Sequence, residues 1–408
     1  MRYWDAAYAF IAALAVAAAL TPLAAMLARR VGAISVPNAR GLSEKATPLL
    51  GGLAILAGVL LAAALWLPDT ITLSRIPHGG NVAGHVHTWW VMAGACLIAL
   101  VGAIDDAIEL NPAVKLIGQI AAAIVAVSGG VVINSLTLPF AGSLQFPNGG
   151  DDVLTVLWLV ALMNVVNFSD GVDGLAAGVC AIDGIAFTVI AFSEQGGGSS
   201  AAVMAAITAG AAVGFLFHNF PPAKVFMGDA GANLLGYLLG IAAVIGSLKT
   251  GAVLALAVPL LILAVPFLDT GFVIIRRLKY GKAPWRPDAE HFHHRMARIG
   301  FSARRTIAYL YGWSFLIGGT AVALRLITHD HKSGPHYHSP EGWLVFLGVL
   351  ITLCVAASIY LIYVLEILKF KRFRSSQLRK GDPGVSEAEI DEAVGRDIET
   401  GEFEKVVK

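Results

Sequence analysis

Four short stretches of this 408-residue chain carry side chains whose types and spacing could do chemistry. Asp105 and Asp106 are adjacent carboxylates, followed by Lys115 and Gln119. Neighbouring carboxylates repel, so such a pair is tolerated with a cation, a metal or a shared proton nearby. The run Asn164-Val-Val-Asn167-Phe-Ser-Asp170-Gly-Val-Asp173-Gly is the densest local signal. Asn164 and Asn167 are spaced to share a helical face. The glycines permit a tight turn and close approach of backbone to a ligand, and Asn and Asp oxygens suit a hard cation. Phe226-Met-Gly-Asp229-Ala-Gly puts an acid at a helix start, where a simple N-cap is one reading. Together with Asn167, a Mg²⁺ site is the sharper reading, because Mg²⁺ commonly takes one or two protein oxygens plus substrate phosphates. His291-Phe-His293-His294-Arg295 lies in a basic stretch, with no Cys or nearby pair of acids to complete a tetrahedral zinc site. Donors for a diphosphate fit it better, with Arg295 able to grip two oxygens.

The elements that must position these groups are membrane helices. Hydrophobic residues make up 57% of the chain and charged residues 14%, with a mean hydropathy of +0.72. Soluble chains carry roughly a quarter charged residues, so the composition selects the membrane class. Unpaired backbone groups are not tolerated in hydrocarbon, which leaves helices as the economical spanning structure. Hydropathy predicts an all-α polytopic protein of about eleven spans, near 6–28, 49–67, 89–104, 113–129, 153–168, 174–192, 201–219, 230–247, 251–275, 306–326 and 342–368. The connections 68–88, 130–152, 193–200 and 325–341 read as polar loops.

Orientation follows from the basic residues. With the N-terminus outside, only Arg2, Arg75, Lys249, Arg325 and Lys332 fall on the external side, five of 29 Lys and Arg residues. The loop 276–305 alone holds nine on the other side. This bias predicts an external N-terminus, a cytoplasmic C-terminus and an active site facing the cytoplasm of an inner (plasma) membrane. Every candidate group above then gathers at that one face, where ionisable side chains at membrane depth are functional by default. The first span lacks a small-residue cleavage site and reads as a retained helix. Residues 1–369 form one membrane domain. Residues 370–408 form a polar, partly disordered tail, whose basic start suits contact with membrane lipids. A net charge of +1 gives no argument for nucleic acid. Cys96, Cys180 and Cys354 fall in spans as small buried hydrophobes, and the external histidines read as solvated loop residues.

In its ordered motifs the chain resembles the polyprenyl-phosphate N-acetylhexosamine-1-phosphate transferases. The set Asp-Asp, Asn-x-x-Asn-x-x-Asp-Gly-x-Asp-Gly, Met-Gly-Asp-x-Gly and His-x-His-His-Arg carries the resemblance across about 35–300. Lys45, Pro48 and Gly51-Gly52 keep the family pattern, while Ser35, Ser43 and Leu49 depart from it. The resemblance implies that a polyprenyl phosphate (undecaprenyl phosphate in a bacterium) attacks a UDP-N-acetylhexosamine, releasing UMP. It implies Mg²⁺, with Mn²⁺ as a substitute, on Asn167 and Asp229. It further implies catalytic roles for Asp105, Asp106, Asp170, His291, His293 and His294, and substrate contacts from Lys45, Lys115, Asn164, Asp173, Phe226 and Arg295. The histidine motif resembles the UDP-N-acetylglucosamine branch that primes lipopolysaccharide, teichoic acid or similar cell-wall glycans; the muramoyl-pentapeptide branch is the alternative. A homodimer is also suggested by the resemblance. A secondary transporter, the rival from another class, would gather its polar sites near the midplane within inverted repeats, and no repeat is visible.

Overall fold

The computed structural model describes residues 3–36, 46–75, 82–133, 135–138, 142–145, 149–192, 200–247 and 302–330, with isolated positions beyond them. The expected spans at 251–275 and 342–368 lie outside the described residues, as do Lys45, His291, His293, His294 and Arg295.

Nine helices appear among the described residues, at the places hydropathy assigns them. They are α1 (Tyr3–Val31), α2 (Gly51–Trp66), α3 (Thr88–Ile108), α4 (Pro112–Ser128), α5 (Gly150–Ser169), α6 (Leu175–Phe192), α7 (Ser200–Asn219), α8 (Gly228–Ser247) and α9 (Ala303–Asp330). Seven are long and apolar enough to cross a membrane; α2 and α4, of 16 and 17 residues, are shorter apolar helices. The chain is an all-α polytopic membrane protein. Helix α8 sits at the centre, nearly all of it buried among α3, α5, α7, α2 and α6. Helix α1 lies along α7 and α2, and α9 packs on α6.

Small residues make this packing possible, because they let helix backbones approach. A Cβ at Gly210 or Gly214 of α7 would collide with the backbone of Phe10 or Leu14 in α1. The same holds where α8 begins: a Cβ at Gly52 or Gly102 would strike the backbone around Ala230.

Two connections differ from the loops expected of them. Residues 68–88 carry an antiparallel hairpin, β3 (Thr70–Arg75) with β4 (Val82–His87), registered from Thr70↔His87 to Arg75↔Val82. Residues 130–152 carry a second, β5 (Ser135–Leu138) with β6 (Gly142–Gln145). Thr70-Ile-Thr-Leu and Ser135-Leu-Thr-Leu alternate polar and apolar residues, the period of a strand, which a reading by overall polarity overlooks. A two-residue ladder, β1 (Ile34–Ser35) with β2 (Thr47–Pro48), closes the first connection beside the start of α2. The β3–β4 hairpin lies at the end of the bundle opposite the acidic motifs, against the end of α4 through the bond from His87 N–H to the Gly129 carbonyl at 2.8 Å.

Candidate functional site

The acidic motifs meet where α3 ends and α4 and α8 begin. Helix α3 runs to Ile108, one turn beyond the expected end, so Asp105 and Asp106 lie in its last turn rather than past it. Helix α4 starts cleanly at Pro112, with the Asn111 side chain accepting from Ala113 N–H at 2.9 Å, and this sets Lys115 in its first turn.

The two neighbouring carboxylates part company in the fold. Asp106 accepts from the backbone N–H groups of Asp229 at 2.8 Å and Ala230 at 3.2 Å. It therefore caps α8 from another helix, satisfying donors that a helix start leaves orphaned and meeting the positive end of its dipole. The cap at the start of α8 is supplied by Asp106, and the Asp229 carboxylate is turned to Lys115 and Asn167. Asp105 accepts from Leu110 N–H at 2.6 Å and pairs with Lys115 Nζ at 3.2 Å.

Lys115 is the hub. Its ammonium bonds the Asp229 carboxylate and reaches Asn167 Oδ1 at 3.3 Å, while Asn167 Nδ2 donates to Asp229 Oδ1 at 2.6 Å. Three helices (α3, α5 and α8) thus bring hard oxygen atoms around one cation that α4 supplies.

A second layer lies one helical turn deeper. Gln119, Asn164 and Asn233 stand beneath Lys115, Asn167 and Asp229 on the same three helices. Asn164 Nδ2 donates to Gln119 Oε1, Gln119 Nε2 to Asn233 Oδ1, and Asn233 Nδ2 to the Asp229 carbonyl, each at 2.8 Å. Asn164 Nδ2 also donates to the Val160 carbonyl at 2.8 Å. Asn164, expected among the substrate contacts, therefore sits a layer below, bonded to Gln119 and its own helix. Asn233 was not foreseen from the motifs, although its place four residues after Asp229, matching Gln119 after Lys115, is a signal legible in the sequence.

Asp170 and Asp173 occupy the turn between α5 and α6. Asp173 Oδ2 accepts from Ala223 N–H at 2.8 Å, and the buried Asn219 accepts from Gly174 N–H at 2.8 Å. The half-buried Phe226 is fixed by its backbone, N–H to the Pro48 carbonyl at 2.9 Å and carbonyl to Gly51 N–H at 3.0 Å. Asp170 is only partly exposed, and burial pushes its carboxyl up to about 8, reinforced by the negative charges of Asp229, Asp106 and Asp173. Burial and the neighbouring charges therefore favour its protonated form.

The sequence that builds this site is similar to those of known proteins. A family model described as glycosyl transferase family 4 matches residues 88–247, the segment from α3 to α8. The chain is 33% identical over 329 residues, 78% of its length and 85% of the relative's, to a probable undecaprenyl-phosphate N-acetylglucosaminyl 1-phosphate transferase of Bacillus subtilis. That coverage decides the relationship. The chain belongs to glycosyl transferase family 4. Other relatives agree in name. A decaprenyl-phosphate N-acetylglucosaminephosphotransferase of Mycolicibacterium smegmatis is 37% identical over 72% of this chain and 75% of its own. An undecaprenyl-phosphate alpha-N-acetylglucosaminyl 1-phosphate transferase of Escherichia coli O157:H7 is 29% identical over 70% and 74%. Within this chain, the family 4 segment contains the whole Lys115 cluster and the amide layer below it; α9 lies outside the matched segment.

Proposed function

We propose that this family 4 protein transfers N-acetylglucosamine-1-phosphate from UDP-N-acetylglucosamine to a polyprenyl phosphate. The observation that carries the reading is the meeting of Lys115, Asp105, Asn167 and Asp229 at one end of a membrane bundle, in a chain whose relatives are named for this activity. An acceptor phosphate oxygen attacks the β-phosphorus, the bond from that phosphorus to the bridging oxygen breaks, and UMP leaves with the electron pair. A phosphate is already a competent nucleophile, so direct attack is favoured over a covalent enzyme intermediate. Lys115 receives the diphosphate and offsets its charge. Asp105 orients the acceptor phosphate and takes any proton it carries. Asp106 acts at one remove, by fixing the start of α8. Asp173 and Phe226 contact the uracil, and Lys45, His291, His293, His294 and Arg295 complete the phosphate grip.

The donor set also fits Mg²⁺, with Mn²⁺ as a substitute. Hard oxygens of Asp229, Asn167 and Asp105 already converge on one positive charge, the Lys115 ammonium. Among the described residues no cluster of three or more His, Cys, Asp or Glu could hold a metal ion, and Mg²⁺ needs none, since water and substrate phosphates fill most of its shell. Asn167 and Asp229 would hold it, and bound there it neutralises charge developing on the diphosphate. The excess of Lys and Arg supports a site facing the cytoplasm of a plasma membrane, and a homodimer remains the assembly to test.

The test is transfer from UDP-[¹⁴C]N-acetylglucosamine to undecaprenyl phosphate by the full chain in lipid nanodiscs. Labelled lipid and equimolar UMP are expected with Mg²⁺. Equal labelling in EDTA would remove the metal role; no labelling with this donor but transfer from the muramoyl-pentapeptide nucleotide would move the chain to the other branch.

A further inference from the structure

Helix α9 lies outside the segment matched by the family model, yet it is fastened to the site. The Tyr311 hydroxyl donates to the Gly174 carbonyl at 2.5 Å, and Arg304 Nε donates to the Pro221 carbonyl at 3.3 Å. Those carbonyls belong to the two segments that meet at Asp173: the α5–α6 turn and the connection from α7 to α8. Between them run the bonds from Ala223 N–H to Asp173 and from Gly174 N–H to Asn219, whose amide in turn donates to the Val225 carbonyl at 2.9 Å. Gly174 itself has φ +76°, a conformation that favours glycine, so the turn is specifically shaped here. On α6, a Cβ at Gly178 would overlap the Tyr311 ring; the missing side chain is what admits the phenol.

We infer that Tyr311 is a positioning residue for donor recognition, holding the Asp173 turn in the orientation that meets the nucleotide, with Arg304 as a second fastening. The inference rests on the transferase reading, which identifies the donor. A turn released from α9 samples several orientations, and the apparent affinity for a ligand falls by the fraction that remains competent. Donor already bound has selected the competent orientation and reacts at the old rate. The signature is therefore a raised KM for the UDP-sugar with kcat and the acceptor KM unchanged.

The experiment compares the full wild-type chain with Tyr311→Phe, which keeps the ring and removes only the hydroxyl, in nanodiscs. The donor KM should rise about three- to tenfold, the range expected for losing one hydrogen bond. Gly178→Ala, which displaces the ring, should give the same signature, and the double variant should add little to it, as coupled positions do. Deuterium uptake at residues 170–178 should rise in Tyr311→Phe while that of α1 and α2 stays fixed. An unchanged donor KM with unchanged exchange overturns the inference, and so does a fall in kcat alone. Should Tyr311→Phe fail to fold, Arg304→Gln at its exposed position must show a smaller rise in donor KM, and an unaltered value rejects the clamp. If the wild-type chain forms no UMP, the transferase reading falls, and the exchange experiment alone decides whether α9 holds the turn.

Discussion

At the residue scale, the site divides one pair of like residues into different duties. Asp105 and Asp106 are neighbours in sequence, but one faces Lys115 and the other caps α8. Asp105→Asn should therefore lower kcat with little loss of stability, whereas Asp106→Ala should lower the unfolding midpoint as well, losing a cap worth about 1 kcal/mol. Turnover measured beside thermal unfolding in detergent separates the two. Asp229→Asn should abolish transfer and keep the fold, because an amide can still bond Asn167. Asp170 makes a pH prediction with a definite sign. Its carboxyl ionises near 3.8 in an unfolded chain and about 8 in the fold. The folded state binds the proton more tightly, so stability from this group is full below pH 4 and declines as pH rises toward 8. Asp170→Asn should flatten that decline in metal-free protein, read from unfolding midpoints between pH 4 and 9; an equally steep decline in the variant would refute the assignment.

At the element scale, the site depends on how closely α8 approaches α2 and α3. Gly52 and Gly102 face the first turn of α8 with no room for a side chain. Gly102→Val should cost about 1–3 kcal/mol by overpacking and take activity with it, since the same turn carries Asp229. The amide layer is the other device at this scale. Gln119 is 1% exposed and bonded on both sides. Gln119→Leu leaves the Asn233 oxygen unpaired, at a cost of about 1–3 kcal/mol. Its effect should not add to that of Asn233→Leu, because the two share one bond; additive losses in unfolding midpoint would show that the chain of amides is not a unit.

At the scale of the whole molecule, the site groups gather at one end of the bundle, with the β3–β4 hairpin at the other. Single cysteines placed in a background free of Cys96, Cys180 and Cys354 test the proposed sidedness. A cysteine at Gly171, the exposed position of the α5–α6 turn, should react with an impermeant maleimide only in inside-out vesicles, and one at the exposed His85 only in right-side-out vesicles. The reverse pattern would turn the enzyme over.

The sequence by itself determined the membrane class and the places of the nine helices among the described residues. Long apolar runs have one stable answer in hydrocarbon, and the spacing of Asn164 and Asn167, or of Lys115 and Gln119, already marks a helical face. The hairpins at 68–88 and 130–152 were legible too, but only to a reading of period rather than polarity. What only the tertiary structure decided is which atoms each polar group meets. That Asp106 caps a helix 120 or so residues away, that Asn164 lies beneath the site, and that Tyr311 reaches Gly174 all depend on how helices pack side by side. Packing is set by small residues and shape at contacts distant in sequence, and no local pattern encodes the partner.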